Sequence, residues 1–202
     1  MKTNPSRTRL APDDRRAQLL GHAVACFADH GIARATQAQV ATRAGVSVSA
    51  VYSYFRTRAD LVAAVLETVE TSIVTMVEAA LLPPAPAVAA LTRLATHTAE
   101  MAVQQPEIVR VWLDWSTGVR ADVWPAFLLL QGRLRAMVEA VLRTLDNESQ
   151  PPDRLVTSAA RLFVGGAHTL ALMRFEAVSA AELSLFIDQM VGGVVATLQR
   201  TD

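Results

Sequence analysis

The sequence predicts an all-α protein, with a three-helix N-terminal module followed by a larger helical bundle. Three observations predict it. Apolar residues recur at helical spacing through most of the 202 residues. No segment alternates over a useful length with the two-residue period of a strand. Prolines and glycines fall between the periodic stretches, where chain breaks belong. With 51% of residues apolar, the chain can fill real cores, which argues against disorder outside the N-terminal tail.

Taken in order, residues 1–11 are polar, basic and without periodicity. Pro12 suits a first helical position, and Asp13 and Asp14 complement the helix dipole there. Leu20, Ala23, Val24 and Phe27 form a core-facing stripe, and Gly31 after His30 reads as the stop. Thr36 and Gln39 have the spacing of a capping box that opens a second helix. Gly45 can take the left-handed conformation that ends it. Ser47 is a suitable cap for a third helix, Val48 to about Phe55. Thr57 and Asp60 make another box, opening a fourth helix that runs to about Leu82, where Pro83, Pro84 and Pro86 end it. Further helices are expected at about 87–104, 106–117, 122–145, 152–174 and 179–199, the last opened by Ser179 and Glu182. The expected domain division is 1–57 and 58–202.

Two short helices joined by a glycine turn make a helix-turn-helix, whose second helix is sized for the DNA major groove. A buried helical hairpin is the plainer alternative. The crowding of Tyr52, Ser53, Tyr54, Arg56, Thr57 and Arg58 after the turn suits a surface that touches phosphates better than an interior. Charge supports this. Residues 1–58 carry nine Lys+Arg against three Asp, a net of +6, which the remainder balances because the whole chain sums to zero. Only the first part is expected to meet a polyanion.

Other classes find less support. No metalloprotease, nucleophile-elbow, phosphate-loop or dinucleotide motif occurs, and the four histidines lack ligand spacing, so neither enzyme activity nor a cofactor is expected. Asp114 and Asp122 have no nucleophile or metal-ligand companion. The single cysteine, Cys26, lies in a helical stripe as a small hydrophobe. No apolar run is read as long enough to span a membrane, and residues 1–16 lack the apolar segment of a secretory leader. A cytoplasmic protein with no membrane partner is expected.

The pattern G-V-S-x-x-x-V-Y-x-Y-F-x-x-R-x-x-L, from Gly45 to Leu61, resembles the signature of TetR-family transcriptional regulators. Ala50 stands where the family has Thr, and Arg58 where it has Lys. Within that family, RTRL at 7–10, GIARA at 31–35, SVSAVYSYFRTRADLV at 47–62 and VWLDWSTGVRADVWPAF at 111–127 resemble the LuxR/HapR/SmcR-type quorum-sensing master regulators of vibrios. The resemblance implies a sequence-specific DNA-binding homodimer on a pseudo-palindromic operator. The alternative is a local TetR-like repressor released from its operator by a small apolar ligand.

Candidate site residues follow from both lines. Ser47, Val48, Ser49 and Ser53 are candidates for base edges; they are short and lack a bidentate Arg or Asn. The resembled subgroup commonly has Asn at position 53. Tyr52 can be core or surface, whereas the resemblance gives Tyr54 a phosphate contact. Thr36, Thr57 and Arg58 are expected to donate to phosphates. Arg7 and Arg9 form either a minor-groove arm, as in the resembled regulators, or a solvated tail. In the bundle, Trp112, Trp115, Phe127, Gln131, Met137, Val138 and His168 allow a solid core or an apolar pocket. The resemblance implies the pocket, with Trp112 and Gln131 at matching positions. Gly165, Gly166, Leu183, Phe186, Met190 and Val194 are expected at a dimer interface, with an intrachain crossing as the alternative.

Overall fold

The computed structural model describes residues 11–82, 84–145 and 151–199. Among these lie nine helices: α1 Pro12–His30, α2 Gln37–Ala44, α3 Val48–Tyr54, α4 Arg58–Leu81, α5 Ala87–Gln104, α6 Pro106–Thr117, α7 Trp124–Leu142, α8 Asp153–Phe175 and α9 Ala180–Gln199. None of the described residues is in a strand. The chain is all-α, as the periodicity predicts. It divides into two compact units, Met1–Thr68 and Val69–Asp202, so the division falls inside α4.

The helix ends follow from local chemistry. α1 starts with Pro12 in its first turn beside Asp13 and Asp14 and stops at Gly31 (φ 79°), whose N–H donates to the Phe27 carbonyl. The unit's core is built from one stripe of each helix: Leu19, Ala23 and Phe27 of α1, Val40 and Ala41 of α2, Val51 of α3, with Ile32 and Phe55 from the connections and Leu61 and Val65 of α4. Cys26 is buried here as a free thiol.

In the second unit α5 is central, packing against α6, α7, α8 and α9. Its buried face is rich in alanine (Ala87, Ala90, Ala95, Ala99 and Ala102) with Leu91 and Leu94 between, so neighbouring helices can approach closely. Trp115, Leu130, Leu142, Phe163 and Leu170 complete the core.

One expectation is corrected. α8 and α9 are both long and apolar enough to cross a membrane by length and composition. Both helices contain charged residues that interrupt any continuous apolar run, yet each is apolar on two faces. One face packs within the unit, through Phe163 and Leu170 of α8 and Val191 and Val194 of α9. The other stays exposed, with Leu162, Leu172 and Leu185 about half exposed.

Candidate nucleic-acid interface and ligand pocket

The reading module is assembled by short-range hydrogen bonds. Thr36 Oγ1 accepts from the Gln39 backbone N–H at 3.3 Å, and Gln39 Oε1 accepts from the Thr36 backbone N–H at 2.9 Å. The Thr36 hydroxyl also donates to Gln39 Oε1. The Thr36 side chain and backbone N–H are both engaged within this box, and the backbone N–H groups of the first turn of α2 are further donors that could face a phosphate. Gly45 adopts the left-handed conformation (φ 65°, ψ 35°) that turns the chain into α3. Ser47 then caps α3 by accepting from the Ala50 N–H at 3.2 Å.

α3 buries Val51 and presents Ser47, Val48, Ser49 and Ser53 to solvent. The hydroxyl of Ser53 donates to the Ala50 carbonyl at 2.7 Å, which leaves its lone pairs for an incoming donor. Ser47 and Ser49 share a hydrogen bond of 2.9 Å. Tyr52 is 47% exposed, which settles its two-sided reading in favour of the surface, and Tyr54 is half-buried. Thr57 and Asp60 form their box, Thr57 N–H to Asp60 Oδ2 at 2.9 Å and Asp60 N–H to Thr57 Oγ1 at 3.0 Å. The Thr57 hydroxyl proton remains available to a phosphate.

Arg58 makes hydrogen bonds within the module. Its Nη2 donates to the Ile32 carbonyl and its Nε to the Ala35 carbonyl at 3.1 Å. The guanidinium fork therefore braces the α1–α2 connection against the start of α4. Gln37 is a brace that sequence reasoning missed: 5% exposed, it donates to the Phe55 carbonyl at 2.5 Å and ties α2 to the end of α3. A signal existed, because Gln37, Val40, Ala41 and Ala44 share one helical stripe and Gln is its only polar member. Arg56 belongs to the cluster after the turn that the sequence reads as a phosphate-touching surface. It is exposed and has no partner among the described residues, whereas Arg43 pairs with Asp29 at 2.8 Å. Arg7 and Arg9 lie outside the described residues. Burial pushes the Cys26 thiol above its ordinary pKa, with Asp29 adding to the shift and Arg43 opposing it, so the thiol is protonated and inert.

The expected pocket residues separate into groups. Trp112 and Val138 line an apolar cavity of about 40 Å³ with Ile73, Leu94, Phe163 and Val164. Phe127, Gln131 and His168 line an open groove of about 530 Å³ with Leu113, Asp114 and Leu172. Trp112 and His168 join the two, their ring centroids 4.1 Å apart. Trp115 is core instead: it is 1% exposed, packs on Phe127 and donates from Nε1 to the Val123 carbonyl at 3.0 Å. Met137 is half-buried and lines neither space.

The expected interface residues also divide. A Cβ on Gly166 would lie 2.2 Å from the Met190 sulfur, so these two serve the α8–α9 crossing within the chain. Val194 is 3% exposed, buried within the chain. Leu183 and Phe186 are half-buried. Gly165 is exposed with open space above it, as are Gly192 and Gly193.

Residues 19–65, spanning the described helix-turn-helix, match the family model of bacterial regulatory proteins, tetR family. Over 183 residues the chain is 31% identical to the HTH-type transcriptional regulator LuxR of Vibrio harveyi, covering 88% of this chain and 87% of that protein. The chain belongs to the TetR family. It is thus a DNA-binding transcriptional regulator, and its relatives are regulators rather than enzymes. The fold extends the match across the bundle. A TetR-like transcriptional regulator from Rhodococcus sp. RHA1 superposes with a TM-score of 0.78 at 17% identity, covering 93% of this chain and 99% of that one. FadR from Bacillus subtilis, solved in complex with stearoyl-CoA, gives 0.69 at 15% identity, covering 90% of this chain and 98% of that one.

Proposed function

We propose that this regulator acts in the cytoplasm as a homodimer on a pseudo-palindromic operator, in the manner of the quorum-sensing master regulators that its sequence resembles. The observation that carries the DNA-reading part is the exposed face of α3, where Ser47, Val48, Ser49 and Ser53 stand clear of a buried Val51. Hydroxyls donate or accept, and Val48 suits a thymine methyl. Such short contacts discriminate modestly, so deformation of the duplex and the Arg7 and Arg9 arm supply further selectivity. Phosphate contacts come from the first turn of α2, the Thr57 hydroxyl, Tyr54 and Arg56.

Pairing follows from the exposed second face of α8 and α9. Leu162, Gly165, Thr169 and Leu172 form an exposed stripe on α8 at spacings of three and four residues, and Leu185, Gln189, Gly192 and Ala196 form its counterpart on α9. Neither stripe carries a charge. Two copies joined there make a four-helix clasp, and each presents one reading head to successive major grooves about 34 Å apart. A gel-shift titration against duplexes selected by the protein itself tests the reading, with affinity expected to fall steeply as salt rises. Genome-wide occupancy at many sites supports the master-regulator role.

The cavity and groove favour a second reading, a local repressor released by a small ligand. A ligand that prefers one arrangement of the bundle shifts the population that fits DNA. Occupancy at one or two operators, relieved by a ligand, supports that reading instead.

A further inference from the structure

Apart from three on Arg120 and Arg174, the side-chain nitrogens of the bundle that are buried without a hydrogen-bond partner among the described residues are Trp112 Nε1, Gln131 Nε2 and His168 Nε2. They share one neighbourhood. The Trp112 and His168 rings lie against each other at 4.1 Å, tilted by 31°. Gln131 and His168 line the same groove, beside Phe127 and Leu172. Buried polar groups in folded proteins are nearly always paired, so a cluster of unpaired ones points to a partner from outside the chain.

The chemistry of His168 is fixed by its other nitrogen. Nδ1 lies 3.1 Å from the Val164 carbonyl oxygen. A carbonyl can only accept, so Nδ1 carries the proton. Burial holds the ring's pKa below its ordinary value, outweighing the opposite pull of that hydrogen bond. The ring is therefore neutral at pH 7, and Nε2 is a bare acceptor. Trp112 Nε1 and Gln131 Nε2 can only donate. Two donors and one acceptor thus stand beside an apolar wall, and the cavity that Trp112 lines is apolar around nearly its whole surface.

We propose that this set selects a small neutral molecule with a short apolar body, whose polar end carries an acceptor and a donor side by side. A primary carboxamide is the simplest case. Its oxygen accepts from Gln131, with Trp112 as the further donor, and its N–H donates to His168 Nε2. His168 is then the specificity-determining residue. A ketone of the same shape leaves His168 unpaired. A carboxylate meets the His168 acceptor with an acceptor and loses its hydration on entering an apolar site. The inference deepens the ligand-responsive reading above and rests on it.

The test uses three isosteric probes on the full-length protein: hexanamide, 2-heptanone and hexanoate at pH 7.5, followed by calorimetric titration. They differ only in an NH₂, CH₃ or O⁻ at one end. Hexanamide is expected to bind about tenfold more tightly than 2-heptanone, the worth of one neutral hydrogen bond, with hexanoate weakest. His168→Phe should bring hexanamide down to the level of 2-heptanone and leave 2-heptanone unchanged. Gln131→Leu should weaken both while preserving their ratio, and it decides the matter if His168→Phe does not fold. Equal affinities for the three probes, an amide preference that survives His168→Phe, a Gln131→Leu variant that binds like wild type, or no binding of hexanamide would each overturn the proposal. A gel-shift of ligand-free protein reads the regulator separately. Duplex binding without hexanamide binding sinks this inference alone, whereas the reverse sinks the proposed function and spares the site.

Discussion

Arg58 offers a direct test of how the reading module is held together. Its fork satisfies two carbonyls, those of Ile32 and Ala35, across a loop more than twenty residues away in sequence. A hydrogen bond from a charged donor contributes about 1.5–3 kcal/mol. Lysine, a point charge, can satisfy one of these carbonyls where the planar fork holds both. Arg58→Lys should therefore cost about 1.5–3 kcal/mol, the worth of the lost bond. For a chain of this size each kcal/mol moves the melting midpoint by about 2–4 °C, so a fall of roughly 3–12 °C is expected. Circular dichroism on heating measures it. Arg58→Gln removes the charge as well, and the salt dependence of operator binding then separates the roles. A brace leaves the slope of log affinity against log salt unchanged, whereas a lost phosphate contact reduces it by about one. An unaltered midpoint together with a reduced slope would refute the bracing role and return Arg58 to the phosphates.

Three further outcomes are expected. Gln37→Leu leaves the Phe55 carbonyl buried and unpaired, which should cost about 1–3 kcal/mol in urea unfolding and weaken operator binding by misplacing α3; wild-type values for both would contradict the brace. His168 has its folded-state pKa below the unfolded value near 6.5, so the unfolded chain takes the proton first. Its contribution to stability is complete above pH 6.5 and is lost as pH falls through the folded-state pKa; between pH 7.5 and 5.5 wild type should therefore lose more stability than His168→Phe, and parallel pH profiles would contradict this. Leu162→Glu places a charge on a residue that is 57% exposed in the single chain, so it should leave the fold intact by circular dichroism and convert the protein to monomers in sedimentation; an unchanged dimer would remove this stripe from the interface.

What the sequence made legible was local. The boxes at Thr36/Gln39, Thr57/Asp60 and Ser179/Glu182 and the cap at Ser47 each join residues three positions apart, and the structure has all of them. The left-handed Gly45 and the proline-led starts of α1 and α6 are equally local. What periodicity cannot show is which neighbour meets a given stripe. Trp112 and Trp115 are nearly one helical turn apart, yet only the first lines the cavity, because Val123 and Phe127 close over the second. Gly166 is shaped by Met190 on another helix, a contact with no signature in sequence. The bonds of Gln37 and Arg58 to carbonyls 18 to 26 positions away are of the same kind. Charge did carry functional information at long range, because the basic excess of residues 1–58 falls on the unit that holds the helix-turn-helix.

Sedimentation of the protein with a fluorescent duplex carrying its selected operator bears most directly on how it works. Two chains per duplex are expected, lost together when salt rises or when one half-site is scrambled. A complex holding a single chain at full affinity, or equal binding to every duplex offered, would contradict the paired-head mechanism.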